Sequence, residues 1–280
     1  MDALVSTEWL ARELGASDLR IVDASWHMPA ANRQPRAEFE AAHIPGAVFF
    51  DIDEIADTSS SLPHMLPSPE KFASRMQALG LGDGSRIVVY DNSELRSSAR
   101  VWWMLRVFGS HQVAILDGGL QKWRSEGRPV ESGKPIVRHR HYTPWMDDKA
   151  VRSLAQMKSN LTTKAEQVLD ARAASRFSGS EPEPRPGLRS GHIPGARNLP
   201  YKELLNEDGT FKRGEELRAA FEQTGVDLSR PVVTTCGSGI TAAVLTFGLH
   251  LLGHDKVALY DGSWTEWGSQ PDTPAVTGSL

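Results

Sequence analysis

Short β-branched and apolar runs alternate along this chain with longer segments whose apolar residues recur at helical spacing. Runs near 19–24, 86–90 and 113–117 read as buried strands, and segments at about 69–79 and 95–108 read as helices. The same alternation returns later, with strands near 167–170, 231–235 and 256–260 and helices at about 214–224 and 240–252. Strand–helix alternation predicts an α/β fold: in each half a mostly parallel central sheet flanked by helices.

The two halves also share landmarks, spaced 144 to 149 positions apart. Ile21-Val-Asp23-Ala matches Val168-Leu-Asp170-Ala, and His43-Ile-Pro-Gly-Ala47 returns as His192-Ile-Pro-Gly-Ala196. Gly109, Asp117-Gly118 and Trp123 match Gly253, Asp261-Gly262 and Trp267. The stretch from Glu131 to Asp148 holds Gly133, Pro135 and Pro144 among many charges, including Arg138-His-Arg-His141, and reads as a solvated connector. The expected division is therefore a first domain over 1–138, a linker over 139–149 and a second domain over 150–280.

Composition adds exclusions. The chain has 280 residues, of which 40% are hydrophobic and 24% charged, enough for two cores. A net charge of −4 gives no reason to expect nucleic acid or an anionic membrane as partner. No basic-then-apolar leader and no apolar run of spanning length is read, and a single cysteine fits a reducing compartment, so the cytoplasm is the expected address.

That cysteine carries the candidate chemistry. Cys236 ends the run Pro231-Val-Val-Thr-Thr and opens Gly237-Ser-Gly-Ile-Thr241, a tight strand-to-helix turn. Amides pointing into such a turn, together with the following helix N-terminus, favour a thiolate. The first half has Asp91 at the matching position, so only the second half is equipped for thiol chemistry. A phosphatase loop needs a guanidinium after five intervening residues, where this chain has Ala242. Papain-like acyl transfer needs a histidine base, and His43 and His192 both open Ile-Pro-Gly turns, a shared context that suggests a structural role for at least one of them. A lone cysteine without nearby ligands does not suit a metal, and no cofactor is implied. Sulfur transfer fits better, because it needs one thiolate, amides to hold a persulfide anion and a subsite for the donor.

The paired His-Ile-Pro-Gly-Ala motifs, the unequal halves and Cys236-Gly-Ser-Gly-Ile-Thr241 resemble the tandem-domain rhodanese superfamily over nearly the whole chain. Uncharged Gly237-Ser238 is similar to the mercaptopyruvate-using members, whereas thiosulfate-using ones carry an Arg-Lys pair there. The resemblance implies that Cys236 accepts sulfur from 3-mercaptopyruvate with release of pyruvate and hands it to a thiol acceptor, with thioredoxin expected by family analogy, or to cyanide in an assay. It implies that Arg176 and Arg185 hold the donor, which an arginine fork suits by bidentate bonding. It further implies binding by the turn residues Gly237, Gly239, Ile240 and Thr241, and a serine–histidine–aspartate relay. Ser238 matches the serine and His43 is a candidate histidine, but no Asp lies between Trp26 and His43 to complete the set. The competing readings are a thiosulfate sulfurtransferase and a non-catalytic persulfide carrier or interaction module.

Overall fold

The computed structural model describes residues 1–278. They divide into two compact units. The first comprises Met1–Thr58, Leu66–Asp147 and Glu207–Thr210; the second comprises Ser59–Met65, Asp148–Asn206 and the chain from Phe211 onward. Ser59–Met65, early in the sequence, thus belongs to the second unit.

Each unit holds one five-stranded sheet in which every ladder is parallel. In the first unit the strands are β1 (Leu4–Val5), β2 (Leu19–Asp23), β3 (Ala47–Phe49), β4 (Arg86–Tyr90) and β5 (Val113–Leu116), in the order β1-β5-β4-β2-β3. In the second they are β6 (Val151–Arg152), β7 (Gln167–Asp170), β8 (Arg197–Asn198), β9 (Val232–Thr235) and β10 (Val257–Tyr260), in the order β6-β10-β9-β7-β8. The six strands expected from the hydrophobic pattern are the three inner strands of each sheet. The four edge strands are only two or three residues long, too short for an alternation to register.

The inner strands form because their β-branched side chains are buried on both faces, as parallel sheets require. Val232 and Val233 are inaccessible to solvent, and Thr234 satisfies its hydroxyl by bonding Thr246 at 2.8 Å. The helix Ala242–Leu251 that follows is apolar almost all round and is buried from Ala242 to Leu249. Trp102 and Trp103 are likewise buried in the helix Ser98–Val107.

Strand order fixes where chemistry can sit. After β7 the chain moves outward to β8, and after β9 it moves the other way to β10. The carboxyl ends of β7 and β9 therefore diverge and open a crevice, the usual ligand position in a parallel sheet. Residues 171 onward and 236 onward lie at its mouth.

Candidate active site

Cys236 is the first residue after β9 and is 2% exposed. Its turn reverses through Gly239, whose φ of +80° is left-handed, and enters the helix at Thr241. This conformation brings the Gly239 amide to 3.1 Å from Sγ, so the sulfur accepts a backbone hydrogen bond from its own turn. Ser238, Ile240 and Thr241 are all buried around it. The turn is braced from behind by the residues after β10. Trp264 N donates to the Cys236 carbonyl at 2.9 Å, and Thr265 donates to the Gly237 carbonyl through both its amide (2.9 Å) and its hydroxyl (2.6 Å).

Arg176 and Arg185, expected as the donor clamp, both approach Gly237, the residue after Cys236. A Cβ built on Gly237 would stand 3.1 Å from Nη2 of Arg176 and 3.9 Å from Nη1 of Arg185. The missing side chain at 237 is thus the space two guanidinium groups approach. Arg176 is itself fixed by Glu183, a carboxylate 2% exposed, which it bonds at 3.2 and 2.5 Å. Glu183 also accepts from Arg172 at 2.7 Å, and Arg172 grips Asp170 at the end of β7. Burial works against the charge of Arg172, but Asp170 and Glu183 outweigh it and hold its pKa above the ordinary value. The chain Asp170–Arg172–Glu183–Arg176 runs from the sheet to the Cys236 turn, and sequence reasoning did not find its two inner members. Asp170-Ala-Arg172 was the available signal.

The histidine beside Ser238 is His64. Its Nδ1 lies 3.0 Å from Ser238 Oγ and 3.3 Å from the Ser238 carbonyl, and the residue is 5% exposed at a left-handed φ of +63°. His43, the histidine considered from sequence, lies in the first unit. There its Nδ1–H donates to Phe39 O at 2.7 Å, its ring stacks on Phe39 at 4.1 Å, and Nε2 is 3.4 Å from Glu131. His192 repeats this arrangement, donating to Phe177 O at 2.8 Å and stacking on Phe177 at 3.7 Å, with its pKa lowered by burial. Both motif histidines therefore lock a local turn. Nothing in the spacing marks His64, because only the fold carries its segment into the second unit.

The first unit shows the same cradle already filled. Asp91 Oδ1 and Oδ2 accept from the amides of Ser93 and Ser98 at 3.0 and 2.8 Å, so the turn binds its own carboxylate. Among the described residues no three metal-ligating side chains come together, and no helix is long and apolar enough to cross a membrane.

The fold is a tandem of two α/β units, and in the second a buried thiol sits at the carboxyl end of a central strand. Both halves match the family model of the rhodanese-like domain, over residues 6–126 and 153–270. The chain is 45% identical to human 3-mercaptopyruvate sulfurtransferase over 271 residues, covering 95% of this chain and 91% of that one. It is 44% identical to a thiosulfate sulfurtransferase of Cricetulus griseus over 285 residues, covering 99% and 96%. A crystal structure of the Escherichia coli 3-mercaptopyruvate sulfotransferase SseA superposes with a TM-score of 0.87 at 40% identity, covering 94% of this chain and 99% of that one. The chain belongs to the rhodanese family as a tandem-domain member, and it is a sulfurtransferase.

Proposed function

We propose that this chain takes sulfur from 3-mercaptopyruvate onto Cys236 as a persulfide and passes it to a thiol acceptor. Relatives named for mercaptopyruvate and for thiosulfate are equally similar overall, so whole-chain identity does not choose the donor. The observation that carries the choice is the approach of Arg176 and Arg185 to an uncharged Gly237. Two guanidinium groups suit the adjacent carboxylate and keto oxygens of a 2-keto acid.

In this reading the Cys236 thiolate attacks the donor sulfur and forms an S–S bond. The carbon–sulfur bond breaks, and its electron pair leaves on carbon as the enolate of pyruvate. The donor's thiol proton ends on that carbon, and Ser238 with His64 at 3.0 Å supports its passage. The outer sulfur of the persulfide remains as an anion among the turn amides. An acceptor thiolate, with thioredoxin as the proposed protein, then attacks the outer sulfur once it is protonated, and Cys236 departs as thiolate. The reaction is proposed for the cytoplasm, where acceptor thiols stay reduced.

The test is incubation with each donor, reading intact mass and pyruvate. With 3-mercaptopyruvate the protein gains one sulfur atom and releases pyruvate; Cys236→Ser does neither, and Arg176→Ala and Arg185→Ala raise KM. Equal turnover of thiosulfate would move the assignment to a thiosulfate sulfurtransferase. Absence of any Cys236-dependent turnover would make the chain a carrier or interaction module.

A further inference from the structure

Behind the nucleophile the two repeats differ at a further position. The first half reads Asp117-Gly118-Gly119 after β5, and the second reads Asp261-Gly262-Ser263 after β10. Gly119 and Ser263 both adopt left-handed backbone, at φ +59° and +50°. Glycine does so freely, whereas a side chain makes this conformation unfavourable. Ser263 is also completely buried.

What the second half gains there is one hydroxyl with two bonds. Ser263 Oγ accepts from the Cys236 amide at 3.2 Å and donates to the Tyr260 carbonyl at 2.9 Å. The backbone tie between the two turns does not require it. Leu120 N reaches the Asp91 carbonyl at 2.9 Å in the first half, just as Trp264 N reaches the Cys236 carbonyl at 2.9 Å in the second. A Cβ on Gly119 would stand 2.5 Å from the Asp91 carbonyl oxygen, so the first half has no room for the serine.

We propose that Ser263 is a positioning residue for Cys236: its hydroxyl, anchored on Tyr260, holds the Cys236 amide and so aims Sγ at the Gly239 amide and the incoming donor. This rests on the reading of Cys236 as the sulfur-accepting nucleophile. The physical reason lies in the peptide plane between Thr235 and Cys236. Cys236 is buried, so without the hydroxyl its amide has no partner and the plane rotates to find one. That rotation changes φ of Cys236 and swings Cβ and Sγ away from the 3.1 Å contact with Gly239 N. Asp91 does not need such aiming, because its carboxylate already spans two amides of its turn.

Ser263→Ala and Ser263→Gly in the full-length chain test this together. Both remove the hydroxyl, but only glycine also removes the left-handed penalty, so S263G melts higher than S263A. With 3-mercaptopyruvate, kcat falls about tenfold in both, the effect of one lost bond to a buried amide, while KM holds because the arginines are untouched. Alkylation of Cys236 by iodoacetamide at fixed pH slows in both as well. If S263G restores wild-type kcat and alkylation while S263A does not, Ser263 acts only through backbone conformation and the proposal is overturned. It is equally overturned if neither variant changes either rate. Alkylation uses no sulfur donor. A slowed alkylation in both variants therefore supports the aiming of Sγ even if the wild type formed no persulfide, an outcome that would sink the sulfur reading instead.

Discussion

Asp23 and Asp170 stand at the same place, the last residues of β2 and β7, and their neighbours treat them differently. Each accepts a turn amide two residues on, from Ser25 at 2.8 Å and from Arg172 at 2.9 Å. Asp170 also has the Arg172 guanidinium at 2.7 Å, whereas Asp23 has only a serine there. Burial therefore pushes the Asp23 carboxyl up to about 6, against the hydrogen bonds that favour its charge. Between the ordinary value of 3.8 and about 6 the folded chain binds more proton than the unfolded one. Stability contributed by this group thus falls as pH rises through that window, and the penalty is complete above it. Asp23→Asn keeps the acceptor and removes the charge. It is expected to stabilise the first unit by about 1–3 kcal/mol at pH 7.5 and by little at pH 4, read from urea unfolding at both pH values. A gain independent of pH would contradict it. At this scale Cys236 and the two arginines were legible, since turn chemistry and a resemblance marked them. Glu183 was not, because a buried carboxylate between two arginines looks like any acid in a Pro-rich loop until the loop is folded.

The helix Ala242–Leu251 shows how an element serves the site by packing. Its Gly248 faces neighbours so close that a Cβ would stand 2.8 Å from Leu204 Cδ1 and 3.1 Å from Phe221 Cζ. Leu204 belongs to the 3-10 turn Tyr201–Leu204 and Phe221 to the helix Gly214–Glu222, and both side chains are fully buried. Gly248→Val inserts branched volume where no void exists, and is expected to cost about 1–3 kcal/mol through overpacking. A thermal melt shows the loss, while kcat of the folded fraction stays near the wild type because residue 248 is two turns from the cradle. A fall in kcat larger than the fall in folded protein would show that this packing also sets the turn. The inner strands and the long helices were readable from hydrophobic period alone. The edge strands were not: Arg197–Asn198 is polar, and its strand character comes from pairing with Leu169 and Asp170.

At the scale of the molecule, the second unit is completed by residues far away in sequence. His64 is 174 positions from Ser238, yet the two share a hydrogen bond inside one compact unit. If His64 moves the proton that quenches the enolate, His64→Ala should lower kcat with 3-mercaptopyruvate by about a hundredfold and leave KM nearly unchanged. His64→Asn, which keeps a donor near Ser238 but no titrating ring, should be as slow. Full activity in the asparagine variant would show that His64 only holds Ser238 in place. Stopped-flow release of pyruvate distinguishes these outcomes.

The sequence by itself determined the repeated α/β architecture, the strand-to-helix turn that presents Cys236 and the inequality of the two halves. Each of these is local: hydrophobic period selects strand or helix, glycine permits the turn, and Asp91 or Cys236 sits within it. Tertiary structure alone decided which histidine meets Ser238, which carboxylate steadies Arg176 and which hydroxyl holds the Cys236 amide. These partners come from Ser59–Met65, from the chain after β7 and from the chain after β10. A parallel sheet gathers the ends of non-adjacent strands at one edge, so the groups that meet there share no spacing along the chain.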